Sequence, residues 1–313
     1  MKGTRLAGLV PLALAPGVLW AYAKWLQHRY ERQELESLRE PQRVARVDGV
    51  GLYYVTAGEG PAIVLIHGMG SSLQTFRRTI SLLAMDYRVV AFDLAGFGLS
   101  DRALEADLSP QGQACLTWEL MRHLGIERAS VIGHSLGGAI ALHLAARHPE
   151  AVERLVLVSS AVPGHVLPSW VRPFWHPPVL EVIVALALHD PLFREWLWRG
   201  GVWDSSILTP ELRAVMRQPA LVRGTTRAIV RAGLALLEEE PLDLSRIAQP
   251  VLLLWGEDDR WLDLRSARRL LQALPDARLR LVPRARHMVL EERPEEAHTI
   301  ILAFLRGEEE GSW

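Results

Sequence analysis

Ser130–His148 reads SVIGHSLGGAIALHLAARH, and its centre, Gly133-His134-Ser135-Leu136-Gly137, fits G-x-S-x-G. A serine hydroxyl is a poor nucleophile unless it is held out toward a base. A sharp strand-to-helix turn does this by forcing the serine into a strained backbone conformation. The turn is tight enough that the residues two before and two after it must lack bulk, hence Gly133 and Gly137. The flanks agree. Ala129–Ile132 is short, apolar and partly β-branched, as a buried strand should be, and Gly138–Arg147 is small and alanine-rich, a good helix former. Ser135 also fits a plainer role, the N-cap of a helix after a glycine-rich loop.

With strand before and helix after, the stretch resembles the nucleophile elbow of the α/β-hydrolases, and the resemblance extends from about Val50 to about Leu305. It implies a mostly parallel eight-stranded sheet with helices on both faces and a helical cap inserted after the sixth strand. It also implies that Ser135 needs an oxyanion hole, an acid and a base elsewhere in the chain.

Ala62–Ile66 is a continuous apolar run, typical of a strand buried on both faces, and ends in His67-Gly68-Met69-Gly70. In the family an H-G pair here shapes the oxyanion loop. By resemblance the backbone N–H groups of Met69 and Leu136 are the donors, with His67 and Gly68 supporting the loop. Asp93-Leu94-Ala95-Gly96-Phe97-Gly98-Leu99-Ser100 resembles the family's D-x-x-G-x-G-x-S, and Asp93 is expected to be structural. The strand Val152–Val158 ends in Ser159-Ser160, without a carboxylate, so the acid falls to the next strand. After Pro250–Trp255 comes Gly256-Glu257-Asp258-Asp259, and the family's G-x-x-D selects Asp259 over Asp258 and Asp263. His287 sits in Arg286-His287-Met288-Val289-Leu290-Glu291, in the family's frame for the base, although the usual preceding glycine is Arg286 here. The catalytic set implied is Ser135, Asp259 and His287, in the hydrolase order.

Organisation follows from composition. The chain has 313 residues, 49% of them hydrophobic, enough for one α/β domain with an insertion. A formal net charge of -1 gives no footprint for nucleic acid. The lone Cys115 excludes an intramolecular disulfide and is expected to pack inertly, and no Cys or His pair has metal-ligand spacing; neither a metal nor a cofactor is expected. Leu6–Ala23 carries no charge and would reach roughly 27 Å as a helix, close to a bilayer core. It fits a single-pass anchor. It also fits a cleaved signal peptide ending at Ala21-Tyr22-Ala23, with export, or a helix packed on the body. Lys24–Glu40 is highly charged and reads as a solvated stalk helix.

The boundaries expected are 1–40 for this N-terminal part, 41–160 with 245–307 for the core, and 161–244 for the cap. The cap region is rich in tryptophan and proline, and its apolar character favours an apolar acyl or alkyl group. Within the serine branch the chain is similar to membrane-anchored monoacylglycerol lipases. The likeness lies in its N-terminal apolar segment and the stretches WGEDDRWLD and RHMVLEERP. It implies a small apolar or lipid-like ester as partner, met at a membrane. Hydrolysis of carbon–carbon bonds, lactone opening and cofactor-free haloperoxidation are alternatives on the same fold. The first needs an anchor for a substrate carboxylate, for which Arg172, Arg199, Arg223 and Arg227 are available. A non-catalytic small-molecule receptor is the alternative of another class.

Overall fold

The computed structural model describes residues 10–164 and 176–308. An eight-stranded sheet runs through the molecule in the order β1-β2-β4-β3-β5-β6-β7-β8. β1 (Val44–Val47) and β2 (Val50–Ala57) form the expected hairpin. Its turn uses Asp48 and Gly49, both at positive φ (48° and 79°), the conformation that matches the twist of a two-residue hairpin. β2 pairs antiparallel with β4 (Arg88–Phe92). β4, β3 (Ala62–Ile66), β5 (Ala129–His134), β6 (Val152–Val158), β7 (Val251–Gly256) and β8 (Ala277–Val282) are mutually parallel.

The inner strands are apolar on both faces because helices cover both. Val64, Val131, Leu157, Leu253 and Trp255 share one core with α3 (Pro110–His123), α4 (Leu136–Arg147) and α9 (Leu264–Ala273). The alternate residues Ile63, Leu65, Ile132, Val156 and Leu254 meet α2 (Arg77–Leu83), α10 (Val289–Glu292) and α11 (Pro294–Arg306) in the other. The helix expected over Leu73–Ala84 is shorter than that. Leu73–Phe76 forms a 3-10 turn, held because Asp93 accepts the Leu73 N–H at 2.7 Å, and α2 starts only at Arg77.

Between β6 and β7 lie α5 (Pro177–His189), α6 (Pro191–Gly200), α7 (Pro210–Arg217) and α8 (Thr225–Leu237). Three of the four open on proline, which is preorganised for the first helical position and has no N–H to leave unpaired. Asp190 and Thr209 cap α6 and α7 through their side chains. Of the cap tryptophans noted in the sequence, Trp170 and Trp175 lie outside the described residues.

The N-terminal part differs from the solvated stalk expected of it. α1 (Val10–Tyr30) packs along α5, burying Ala23 and Leu26. Lys24 and Gln27 both reach Glu181 on α5, and the Tyr22 hydroxyl donates to Asp190 at 2.9 Å. Glu31, just past the helix, accepts from the N–H groups of Gly224 and Thr226 (3.0 Å each), from the Thr226 hydroxyl, and pairs with buried His189 at 3.1 Å. Farther on, Gln33 bridges to Val222 and Arg39 donates to Asp101 at 2.6 Å. Lys24, Glu31, Glu34 and Arg39 of this stretch are ion-pair partners for the cap and core. Residues 6–9 of the apolar segment lie outside the described residues; among those described, no helix is long and apolar enough to cross a membrane.

Candidate active site

β5 delivers Ser135 to the sheet's carboxyl edge, and α4 begins on the next residue. Ser135 sits at φ 55°, ψ −119°, a region costly for a residue with a side chain. The turn is over-determined. The Ser135 N–H donates to Val158 O (3.0 Å), and its carbonyl accepts from Gly138 and Ala161 (3.0 Å each). A Cβ on Gly137 would stand 2.0 Å from the Ile66 carbonyl oxygen, and one on Gly133 would stand 2.3 Å from Gly137 O. Both glycines are thus required by contact.

Asp259 and His287 come from the loops after β7 and β8. His287 Nδ1 lies 2.9 Å from Asp259 Oδ2, so Nδ1–H donates and Nε2 is left unprotonated. Asp259 Oδ1 accepts the N–H groups of Trp261 (2.8 Å) and Leu262 (3.0 Å). Burial works against ionisation of Asp259. The bond from His287 and the two N–H groups outweigh it, and its carboxyl is held below the usual range. The runners-up stand elsewhere: Asp263 caps α9, and Asp258, half-buried, has no hydrogen bond to His287. Arg286, where the family has glycine, donates to Val202 O (2.8 Å) and Arg199 O (3.2 Å), fastening the turn after α6 to the His287 loop. Met288 N–H to Gly201 O (3.1 Å) and Trp203 N–H to Glu292 complete that clamp.

Ser135, His134, Gly68, Met69 and His287 line one cavity of about 370 Å³. Gly68 lies against Ser135, where an added Cβ would come within 2.9 Å of the serine Cβ. Leu136 opens α4, so its N–H has no intrahelical acceptor. His67 is fully buried, 2.8 Å from Gly68 O through Nδ1, and accepts the Leu94 N–H at 3.0 Å through Nε2. Burial lowers its pKa to about 4, so it is a neutral tie between the loops after β3 and β4. Asp93 is a second tie. Its oxygens accept from Leu73 (2.7 Å) and Leu99 (2.6 Å), and burial raises its pKa to about 6.

Two neighbours of His287 carry no signal in the sequence. His134, the variable position of G-x-S-x-G, donates from Nε2 to the His287 carbonyl at 3.0 Å. Burial lowers its pKa to about 3, so it stays neutral and fixes the His287 backbone. The Trp261 ring lies 4.9 Å from the His287 ring and against Gly200 and Gly201. Of the carboxylate anchors considered from sequence, the three that lie among the described residues do not line the cavity. Arg199 pairs with Glu195, Arg223 pairs with Glu34, Arg227 is exposed, and Arg172 lies outside the described residues. Arg77, Arg194 and Arg217 line it instead. Cys115 is free and half-buried on α3, away from these groups. Among the described residues, no cluster of His, Cys, Asp or Glu is arranged to hold a metal ion.

A family model described as alpha/beta hydrolase fold matches residues 61–183. The uncharacterized hydrolase YugF of Bacillus subtilis (strain 168) is 32% identical over 286 residues, covering 85% of this chain and 98% of the relative. The 2-hydroxy-6-oxo-6-phenylhexa-2,4-dienoate hydrolase of Comamonas testosteroni is 28% identical over 267 residues, covering 82% and 91%. Among solved structures, a membrane phospholipase A described as a bacterial virulence factor superposes with a TM-score of 0.73 at 28% identity, over 98% of this chain and 99% of that one. Likeness at this level, sustained over almost the full length of the relatives, is that of common descent, and the chain belongs to the α/β-hydrolase fold family.

Proposed function

We propose that the protein is a serine hydrolase of carboxylic esters with an apolar, lipid-like acyl group. One observation carries this: Ser135, strained at φ 55°, opens onto the same cavity as His287, whose far nitrogen is bonded to Asp259. Unprotonated Nε2 of His287 takes the Ser135 proton as Oγ attacks the ester carbonyl. Asp259 stabilises the imidazolium that results. The N–H groups of Met69 and Leu136 receive the oxyanion. His287 gives its proton to the leaving alcohol, then activates the water that releases the acid from the acyl-enzyme.

The acyl group is assigned from the walls. Ile183, Leu188, Leu197, Leu212 and Met216 of the cap line the same cavity as the serine, and each methylene buried there contributes about 0.8 kcal/mol. We assign the N-terminal segment a single-pass membrane anchor. Trp20, Tyr22 and Trp25 on α1 are exposed aromatics of the kind that sit at a bilayer interface.

The test is hydrolysis of a short-to-long acyl ester series, monoacylglycerols included, by wild type and Ser135→Ala in parallel. Ser135-dependent turnover that rises with chain length supports the assignment. Full activity in Ser135→Ala overturns the nucleophile. No ester turnover by folded protein moves the assignment to carbon–carbon hydrolysis or ligand sensing. Recovery of the full-length protein in the soluble fraction without detergent overturns the anchor.

A further inference from the structure

The three arginines that line the cavity are not equivalent. Arg77 is neutralised, its guanidinium forming a two-pronged pair with buried Glu291 on the core side. Arg194 and Arg217, on the cap side, have no carboxylate partner among the described residues. The nearby acids are already engaged. Glu195 holds Arg199 and Arg213. Asp190 caps α6 and accepts from Tyr22. Glu31 is saturated by His189, Thr226 and Gly224.

Both cap arginines are half-buried, and each stands on an aromatic face. Arg194 lies 5.3 Å from the Trp198 ring, and Arg217 lies 5.2 Å from that of Tyr30, at the junction with α1. Arg194 spends Nη1 on the carbonyls of Leu188 (3.0 Å) and His189 (3.4 Å), where α5 ends. Among the described residues, nothing accepts from its remaining N–H groups or from those of Arg217. Burial, with Arg217 close by, disfavours the charge on Arg194, while Tyr30, Asp190 and Glu195 act the other way. Two half-buried guanidinium groups with no carboxylate hydrogen-bonded to them, on the largely apolar cap wall of the cavity, are placed to share an anion, and a guanidinium fork suits carboxylate and phosphate oxygens.

We infer that Arg194 and Arg217 form an anion subsite of the active-site cavity, so that the natural ligand is an amphiphile with a carboxylate or phosphate as well as an apolar chain. The inference deepens the ester-hydrolase proposal by adding a charge to its substrate. Its test does not depend on turnover.

The test is calorimetric titration of the full chain with octyl phosphate, octanoate, 1-octanol and inorganic phosphate, with the octyl compounds below their micellar concentrations. The two anionic octyl compounds should bind at least about 10-fold more tightly than octanol. Arg217→Gln should bring them most of the way to the octanol value, and Arg217→Lys should keep a substantial part of the preference. Of the two anions, the one that binds more tightly identifies the headgroup. Equal affinity for octanol and both anions overturns the subsite, as does an Arg217→Gln protein that retains the full preference. Inorganic phosphate binding as tightly as octyl phosphate overturns the need for an apolar chain. Among the described residues Arg217 holds no backbone carbonyl, so its variant is the one to rely on if Arg194→Gln disturbs the end of α5. Absent ester turnover with this anion preference intact would refute the proposed reaction and leave the subsite standing.

Discussion

Asp259→Asn separates charge and orientation from packing at the base. Oδ1 of Asp259 accepts two backbone N–H groups, from Trp261 at 2.8 Å and Leu262 at 3.0 Å, while Oδ2 faces His287 Nδ1 at 2.9 Å. An asparagine must keep its oxygen toward the two N–H groups. The reverse orientation would leave two buried donors facing an amide NH₂, at about 1–3 kcal/mol each. The NH₂ is therefore driven toward His287, where it donates to Nδ1. The proton then moves to Nε2, and the histidine presents a donor to Ser135 in place of an acceptor. The loss expected is the one known for this tautomer inversion in serine proteases, about 10⁴ in kcat, or roughly 5.5 kcal/mol of transition-state stabilisation. Steady-state hydrolysis of a p-nitrophenyl ester gives the rate. Nitrogen-15 spectra of the His287 ring report the tautomer, and the melting temperature should move little, because the side-chain volume and two of the three hydrogen bonds persist. A variant within 10-fold of wild-type kcat, or one with Nδ1 still protonated, would refute this account of Asp259.

Other expectations follow from contacts already described. Gly137→Ala puts a methyl 2.0 Å from the Ile66 carbonyl and 2.7 Å from that of His67. A destabilisation of about 3 kcal/mol or more is expected, and an unchanged thermal melt would contradict it. Ser135→Ala should abolish ester turnover and leave the circular dichroism spectrum as in wild type. For pH, burial lowers the pKa of His67 from 6.5 to about 4, so below pH 6.5 the unfolded chain takes up a proton that the folded one refuses. The stability this group contributes is complete above about pH 6.5 and is lost as pH falls toward 4. Asp93, raised to about 6, acts in the opposite sense between pH 6 and 3.8, so the comparison must isolate the histidine. The stability gap between wild type and His67→Gln, from urea unfolding, should shrink by roughly 2–3 kcal/mol between pH 7 and 4.5. A constant gap would show that His67 is not held neutral.

The parts legible in the sequence are those whose physics is local. Ala62–Ile66 and Val251–Gly256 read as strands because both faces are buried, which permits an unbroken apolar run. Three of the four cap helices open on proline, whose fixed φ suits a first helical turn. Ser135, Asp259 and His287 were singled out by short motifs at strand ends, and the fold gathers them because its strands are parallel and end on one edge. What escaped depends on distant partners. Lys24 meets Glu181, 157 residues away, and Glu31 meets Thr226, 195 away; nothing near either residue distinguishes an ion-pair partner from a solvated charge. His134 and Trp261 escaped for the same reason: what they do is set by a histidine contributed by another loop.

The docking of α1 on α5 has a consequence for the order in which the molecule is made. Ribosomes add about 5–20 residues per second. The helix that ends at Tyr30 therefore leaves the tunnel on the order of 10–30 s before the surface that buries Ala23 and Leu26 exists. During that interval its apolar side has no partner within the chain. The cap, for its part, cannot complete its polar cluster at His189 and Thr226 without returning to a residue translated long before. Synthesis from residue 41 onward would thus supply every group of the candidate active site and still leave the cap without the carboxylate of Glu31. Such a shortened product should give less folded protein than the full chain when both are prepared in detergent, even though its core sequence is whole.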